Sequence, residues 1–200
     1  MPLPGPSVET KTGAARTAIV LLVSMLAACR LPWTVRPIES HDSESAAASF
    51  DAAAYVASIW QSKVVPAAEA APAFAEAHAA GHPILVKGVA RILRIGANRN
   101  RLVLDIAPYD GKPDAELATG DIHGTALRDA LPFLQFSQFV NQVDFAHAAS
   151  ALNDRAAQAA SALKGMTVGG ELSFAGALDS PGGGLPEIIP VILSRGRGLR

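Results

Sequence analysis

The chain has 200 residues, half of them apolar, and a formal net charge of −1 at pH 7. That length fits one domain of ordinary size, and so balanced a charge excludes the strongly basic footprint of a nucleic-acid-binding protein. A single cysteine excludes an internal disulfide framework.

Residues 1–28 read as a leader rather than as part of the fold. Lys11 and Arg16 make its start positive, and Ala18 to Ala28 is an uncharged, largely apolar run. The run is too short to cross a bilayer, which takes about 20 residues. It ends in Leu26-Ala27-Ala28-Cys29, which resembles a bacterial lipobox: a branched apolar residue, two small ones, then cysteine. The small residues suit a peptidase with a narrow site, and Cys29 is the expected lipidation residue, joined to diacylglycerol through a thioether. Two or three acyl chains give stable attachment, since each buried CH₂ adds about 0.8 kcal/mol. Arg30 stands where aspartate commonly retains enterobacterial lipoproteins in the inner membrane, so inner versus outer membrane stays open. The expected location is periplasm-facing and lipid-anchored.

Removing 28 of the 200 residues leaves 172, and the net charge becomes −2 because Glu9, Lys11 and Arg16 leave together. Residues 29–48 read as anchor and tether: Pro32, Pro37 and the polar run Glu39 to Ser45 show no periodicity. Residues 49–194 read as one domain, and 195–200, with three arginines and two glycines, as a flexible basic tail.

Within the domain, Asp51 is placed to cap a helix over Ala52 to Val65. Pro66 interrupts it, and an alanine-rich helix over Ala67 to Ala80 follows with Gly81 as its stop. Trp60 shares a face with Tyr55 and Ile59, which reads as core rather than as a sugar-stacking platform. His78 and His82 are four apart, but Gly81 and Pro83 break the helix there and no third ligand is near in sequence, so no metal is expected.

Residues 84–95 change to period two, the signature of a half-buried strand, with Gly88 marking a bend or bulge. A turn at Gly96 to Asn100 leads to a second strand with Leu102, Leu104 and Ile106 inward and Arg101 and Asp105 outward. A third strand is expected over Glu116 to Ile122.

Thr125 is expected to cap a short helix over Ala126 to Leu131, ended by Pro132. Ser137 is expected to cap a long one reaching Leu163, about 40 Å at 1.5 Å per residue. Its apolar stripe is Phe145, Ala149, Leu152, Ala156, Ala159 and Leu163. Carried back, that stripe meets Gln142, Asn141 and Gln138, while Phe136, Val140 and Val143 fall on the opposite side. Two readings follow for Arg128, Asp129, Asn141 and Gln142. Either the amides bond neighbouring backbone and fix the helix, or the four residues form a small polar pocket suited to a sugar or a carboxylate.

Strands are expected again over Thr167 to Ala177 and Ile188 to Leu193, the latter at a sheet edge because Pro190 cannot donate to a ladder. The fold class is therefore α+β: an OB-like small β-barrel of about five strands, with N-terminal helices and one long helix between strands 3 and 4.

Several blocks together are distinctive. They are Phe50-Asp-Ala-Ala-Ala-Tyr-Val-Ala-Ser-Ile-Trp60, Lys63-Val-Val-Pro66, Val86-Lys-Gly-Val-Ala90, Gly124-Thr-Ala-Leu-Arg-Asp-Ala130, Phe136 to Ala146, Ala151-Leu-Asn153 and Ile189-Pro-Val191. In this order they resemble the bacterial predicted periplasmic lipoproteins of unknown function, domain-of-unknown-function family 2291, over roughly residues 34–194. The resemblance implies an exported, lipid-anchored protein with no established activity. Genes of the family often neighbour those of carbohydrate ABC importers, which implies an accessory role in uptake. This chain is short between its N-terminal helices and Val86, so any site in that loop would be missing here.

Chemistry is sparse. His123, Asp129 and Ser137 are the members a triad would need, yet there is no G-x-S-x-G elbow, and neither an H-E-x-x-H motif nor a phosphate-binding Gly-rich loop. Gly182 to Gly184 precede a strand rather than a helix. Asp110, Asp114, Glu116 and Asp121 are too irregularly spaced for a calcium loop. The expectation is a non-enzyme with no catalytic residues, no metal and no cofactor. Its expected partners are the membrane, through Cys29, and an ABC transporter component or a small polar solute. The alternatives are a purely structural envelope lipoprotein, recognisable by a filled barrel, and a hydrolase.

Overall fold

Asp51 opens the first helix as expected: its Oδ1 accepts the Ala54 N–H at 2.9 Å, capping α1 (Ala52–Ile59). The computed structural model describes residues 49–77, 81–180, 182–196 and 198. Cys29, its leader, the tether and His78 lie outside the described residues. The helix does not break at Pro66. One widened π turn, Trp60–Val64, carries it into α2 (Val65–Glu69), and the Val65 N–H reaches back five residues to the Trp60 carbonyl. A proline ring crowds the carbonyl four residues earlier and supplies no N–H. The wide turn just before Pro66 accommodates both problems. The helical run ends at Glu69 rather than near Gly81. Beyond it Pro72 is not helical, and among the described residues before Ile84 only a 3₁₀ turn, Phe74–Glu76, follows.

Five strands close a barrel in the order β1-β2-β3-β5-β4. They are β1 (Ile84–Ile95), β2 (Arg101–Ile106), β3 (Ala115–Ala118), β4 (Glu171–Asp179) and β5 (Glu187–Arg195). β1 pairs with β4 through Ile84 to Arg91 and with β2 through Ala90 to Ile95, so one long strand serves two neighbours. Its register shifts between Ile92 and Arg94, not at Gly88. Gly88 has another task. A β-carbon there would lie 3.0 Å from the Phe174 ring, so the glycine makes room for the largest fully buried side chain in the barrel.

β5 is not an edge strand. It pairs antiparallel with β4 and parallel with β3, through Glu116↔Glu187 and Leu117↔Ile188. Pro190 is tolerated because it sits where the β4–β5 register slips, between Ala175/Ile192 and Gly176/Pro190.

The barrel interior is apolar. Val86, Ala90, Ile92, Leu104, Leu117, Leu172, Phe174 and Ile188 are completely buried in one cluster. A second apolar layer covers the outer face of β4 and β5, where Ala175, Ala177, Ile189 and Val191 meet the helices. Leu102, Leu104 and Ile106 face inward as the alternation predicts. Asp105, expected outward into solvent, is instead 2% exposed and accepts the backbone N–H groups of Asp110 (3.2 Å) and Gly111 (3.0 Å), tying down the β2–β3 turn.

Between β3 and β4 lie α3 (Ala126–Asp129) and the long helix α4 (Gln142–Ala160), extended by a 3₁₀ turn, Ser161–Leu163. Ala149, Leu152, Ala156 and Leu163 of the expected stripe are buried. The helix starts later than Ser137. Phe136–Gln138 is a separate 3₁₀ turn closed by Gln135 and Gln138, Phe139 is extended, and Asn141 is the N-cap, its side chain accepting the Asp144 N–H at 2.9 Å. Thr125 does not cap α3 with its side chain; its hydroxyl donates to Asp129 Oδ2 at 2.6 Å.

Candidate functional site

Of the four residues of the expected polar cluster, Arg128 and Asp129 pair with each other, while Asn141 pairs with Asp144, outside the four. Arg128 donates Nε–H to Asp129 Oδ1 at 2.8 Å and lies over the Phe145 ring, with its guanidinium carbon 3.9 Å from the ring centre. Asn141 donates Nδ2–H to Asp144 Oδ2 at 3.1 Å. Among the described residues no hydrogen bond joins these pairs, and Asn141 and Gln142 are exposed. The stripe of buried amides disappears because the helix begins only at Gln142, so its first turn projects from the protein instead of continuing over the core. Arg128 is the one member held largely away from solvent, with 14% of its side chain exposed.

Where the π turn, α4 and β5 converge, a groove of about 570 Å³ opens on the outside of the barrel. Gln61 and Glu69 line one wall and Arg155 and Gln158 the other, with Leu193 among the apolar residues beneath. Trp60 forms part of its base and is 4% exposed, with the Arg155 guanidinium carbon 5.7 Å from its ring centre. Arg155 also donates Nη1–H to Gln158 Oε1 at 2.8 Å. Charged, amide and apolar side chains thus share one open groove. Sequence reasoning places Trp60 correctly in the core but gives no hint of the groove, because α4 and the π turn meet only in the tertiary structure. Pro66 following a helical pattern is its one local clue, since π turns recur at functional sites.

A smaller cavity, about 240 Å³, gathers Asp121, His123, Ser150, Asn153 and Asp154. Asn153, 6% exposed, donates Nδ2–H to the Gly124 carbonyl at 2.9 Å. His123 lies here, apart from the other two residues a triad would need: Asp129 is engaged by Arg128 and Thr125, and Ser137 is exposed in the 3₁₀ turn. The acidic residues around the β2–β3 turn hold backbone and neighbours. Asp114 accepts the Ile106 N–H, Glu116 pairs with Arg101 at 3.2 Å, and the Lys112 N–H holds the Asp110 carboxyl below its ordinary range. Among the described residues no group of three or more His, Cys, Asp or Glu side chains is arranged to hold a metal.

At the start of the domain Phe50, Tyr55, Phe139 and Phe145 form a chain of rings with centres 5.1–5.6 Å apart. Burial raises the Tyr55 phenol above its ordinary value. Beside this base Phe136, Val140 and Val143 stand 48%, 94% and 59% exposed.

A closed five-stranded barrel with its helix between β3 and β4 defines an OB-fold module, here with a helical layer on β4 and β5. The chain belongs to the family of predicted periplasmic lipoproteins DUF2291, whose model matches residues 18–80 and 75–194. A solved structure, an OB-fold protein from Thermotoga maritima, is similar in fold. Its TM-score is 0.54 at 16% identity, covering 74% of this chain and 99% of that one. No curated protein matches the chain.

Proposed function

We propose that this lipoprotein is a non-catalytic binding module, tethered through lipidated Cys29 to the periplasmic face of a membrane, that engages a protein partner and serves carbohydrate import as an accessory. The observation carrying this reading is the open groove outside the apolar barrel, a feature that a purely structural envelope lipoprotein does not need. Inside the barrel Leu104, Leu117, Leu172 and Phe174 are fully buried. The groove between the π turn and α4 is open and is lined by donors, acceptors and apolar side chains. That suits an extended or helical segment of another protein better than a ligand that must be enclosed; small-molecule sites bury most of their ligand.

A photoreactive residue placed at Gln61 or Gln158 in the full-length protein, in its own cells, is expected to crosslink to a component of the neighbouring importer. A probe at Lys112, in the β2–β3 turn, should not. Equal crosslinking from all three positions, or none from any, contradicts the reading.

A second reading, a small polar solute in the same groove, is favoured by the convergence of Gln61, Glu69, Arg155 and Gln158. Sugars, polyols and amino acids tested by thermal shift separate the two. A ligand at 100 times its Kd adds about 2.7 kcal/mol to stability, and that shift should vanish in Arg155→Ala.

A further inference from the structure

We infer that the ledge of Phe136, Val140 and Val143 docks on the surface of the lipid bilayer to which the chain is anchored. These are three of the four large apolar side chains most exposed among the described residues, and they lie within eight positions of one another. The ledge is built rather than incidental. Asn141 caps α4, the 3₁₀ turn Phe136–Gln138 closes on itself through Gln135 and Gln138, and Phe139 and Phe145 pack underneath. Phe136 rests edge-on against Phe145 and is half exposed, while Val140 and Val143 of the same segment are exposed.

Its chemistry matches the headgroup–acyl boundary. From Pro132 to Val143 no side chain is ionisable; the first carboxylate, Asp144, follows Val143 and accepts from the Asn141 amide. The rim is neutral amide and hydroxyl: Gln135, Ser137, Gln138, Asn141 and Gln142, all exposed. Interfacial elements combine apolar tips with such a polar surround and bury only about 5–10 Å deep. No described helix is long and apolar enough to cross a membrane.

The position of the tether selects lipid over a protein partner. The described chain enters at Ser49 and Phe50, and the Phe50 ring packs edge-on against Phe139 with centres 5.5 Å apart. The segment leading back to Cys29 therefore joins the domain beside the ledge. Cys29 precedes Phe50 by 21 positions, a span of about 70 Å when fully extended, so the ledge reaches the anchoring bilayer without strain. Tethering makes this contact intramolecular, so that even a weak apolar contact is well populated. The inference rests on lipidation of Cys29, part of the reading above, and adds that the domain lies down on the membrane ledge first.

The test uses the mature, lipidated full-length protein. Cys29 is the only cysteine and its thiol is consumed by the thioether, so Val140→Cys supplies a unique reactive thiol for a polarity-sensitive fluorophore. Lys112→Cys, at a side chain 79% exposed, is the reference. Both proteins are reconstituted into vesicles of phosphatidylethanolamine and phosphatidylglycerol at 3:1, and flotation confirms anchoring. The expected result is a blue-shifted emission from the Val140 probe, quenched by lipid-borne doxyl groups, with a water-like emission from the Lys112 probe. A probe at Val143→Cys should behave like that at Val140 and lose its shift when Phe136→Ser and Val140→Asp are added. A water-like Val140 probe in protein that floats with vesicles overturns the inference while leaving the anchor intact. Protection of that probe only in whole envelopes, not in vesicles, overturns it in favour of a protein partner. Labelling at Cys29, or failure to float, shows instead that the anchor itself is wrong.

Discussion

Asn153, in the buried face of α4, donates its side-chain N–H to the carbonyl of Gly124, 29 positions earlier in the chain, at 2.9 Å. This bond fastens the loop that leaves β3 to the helix that leads into β4. Asn153→Ala should lower stability by about 1–2 kcal/mol, the range expected when a buried hydrogen bond is removed. Urea melts with an unchanged slope would show that the loss lies in the folded state.

The tightest backbone approach lies between β4 and β5. A β-carbon on Gly176 would sit 2.2 Å from the Ile189 carbonyl oxygen and 3.0 Å from Pro190 Cα. Gly176→Ala must push the strands apart at the register slip, with an expected loss of about 3 kcal/mol or more. Gly111→Ala, in an open turn with positive φ, is predicted to cost about 1 kcal/mol. A smaller loss at Gly176 than at Gly111 in thermal melts would contradict this packing.

Arg128 has a structural task whatever else it does. Its guanidinium spans Asp129 and the Phe145 face, and most of its side chain is covered. Arg128→Ala is predicted to destabilise by about 1–2 kcal/mol. Arg128→Lys should recover only part of that loss, because an ammonium cannot both stack flat and pair with the carboxylate. Full stability in Arg128→Ala by denaturant titration would remove the residue from the fold's support.

Glu187 gives a pH signature. Burial, with Glu116 and Asp179 nearby, raises its carboxyl above the ordinary value against the opposing pull of Arg101 at 2.8 Å. A raised folded-state value means that the native protein binds the proton more tightly than the unfolded chain. The contribution to stability is therefore full below the unfolded value and is lost as pH rises through the folded one. Glu187→Gln, which stays neutral, should melt higher than the wild type at pH 7, with the advantage disappearing near pH 4. An advantage that grows toward acid would reverse the sign.

The barrel was legible in sequence because short apolar stretches bounded by turn residues read as strands. Leu102, Leu104 and Ile106 point where period two places them, β1 has the expected bounds, and Asp51 caps as its position implies. Misplacements arose where one local pattern admitted two structures. Phe136, Val140 and Val143 are spaced like a helix face, and both Ser137 and Asn141 are competent caps. In the structure Phe139 is extended and packs against Phe50 and Tyr55, and the cap is Asn141. Asp105 falls on the outward parity of its strand, yet the turn after β2 curls back over it. Pro190 marks a register slip in a strand with neighbours on both sides, β4 along its length and β3 at Glu187 and Ile188, which periodicity cannot distinguish from an edge. The groove involves residues from three distant elements, and Pro66 after a helical pattern is the one local mark of it.

What the groove and the ledge are proposed to do depends on the lipid at Cys29. The most direct test is mass spectrometry of the N-terminal peptide of the protein purified from membranes. The account predicts a chain beginning at Cys29 and carrying a diacylglyceryl thioether, with Cys29→Ala lost from the anchored mature form. A mature chain beginning elsewhere, or one with an unmodified Cys29 thiol, would contradict it.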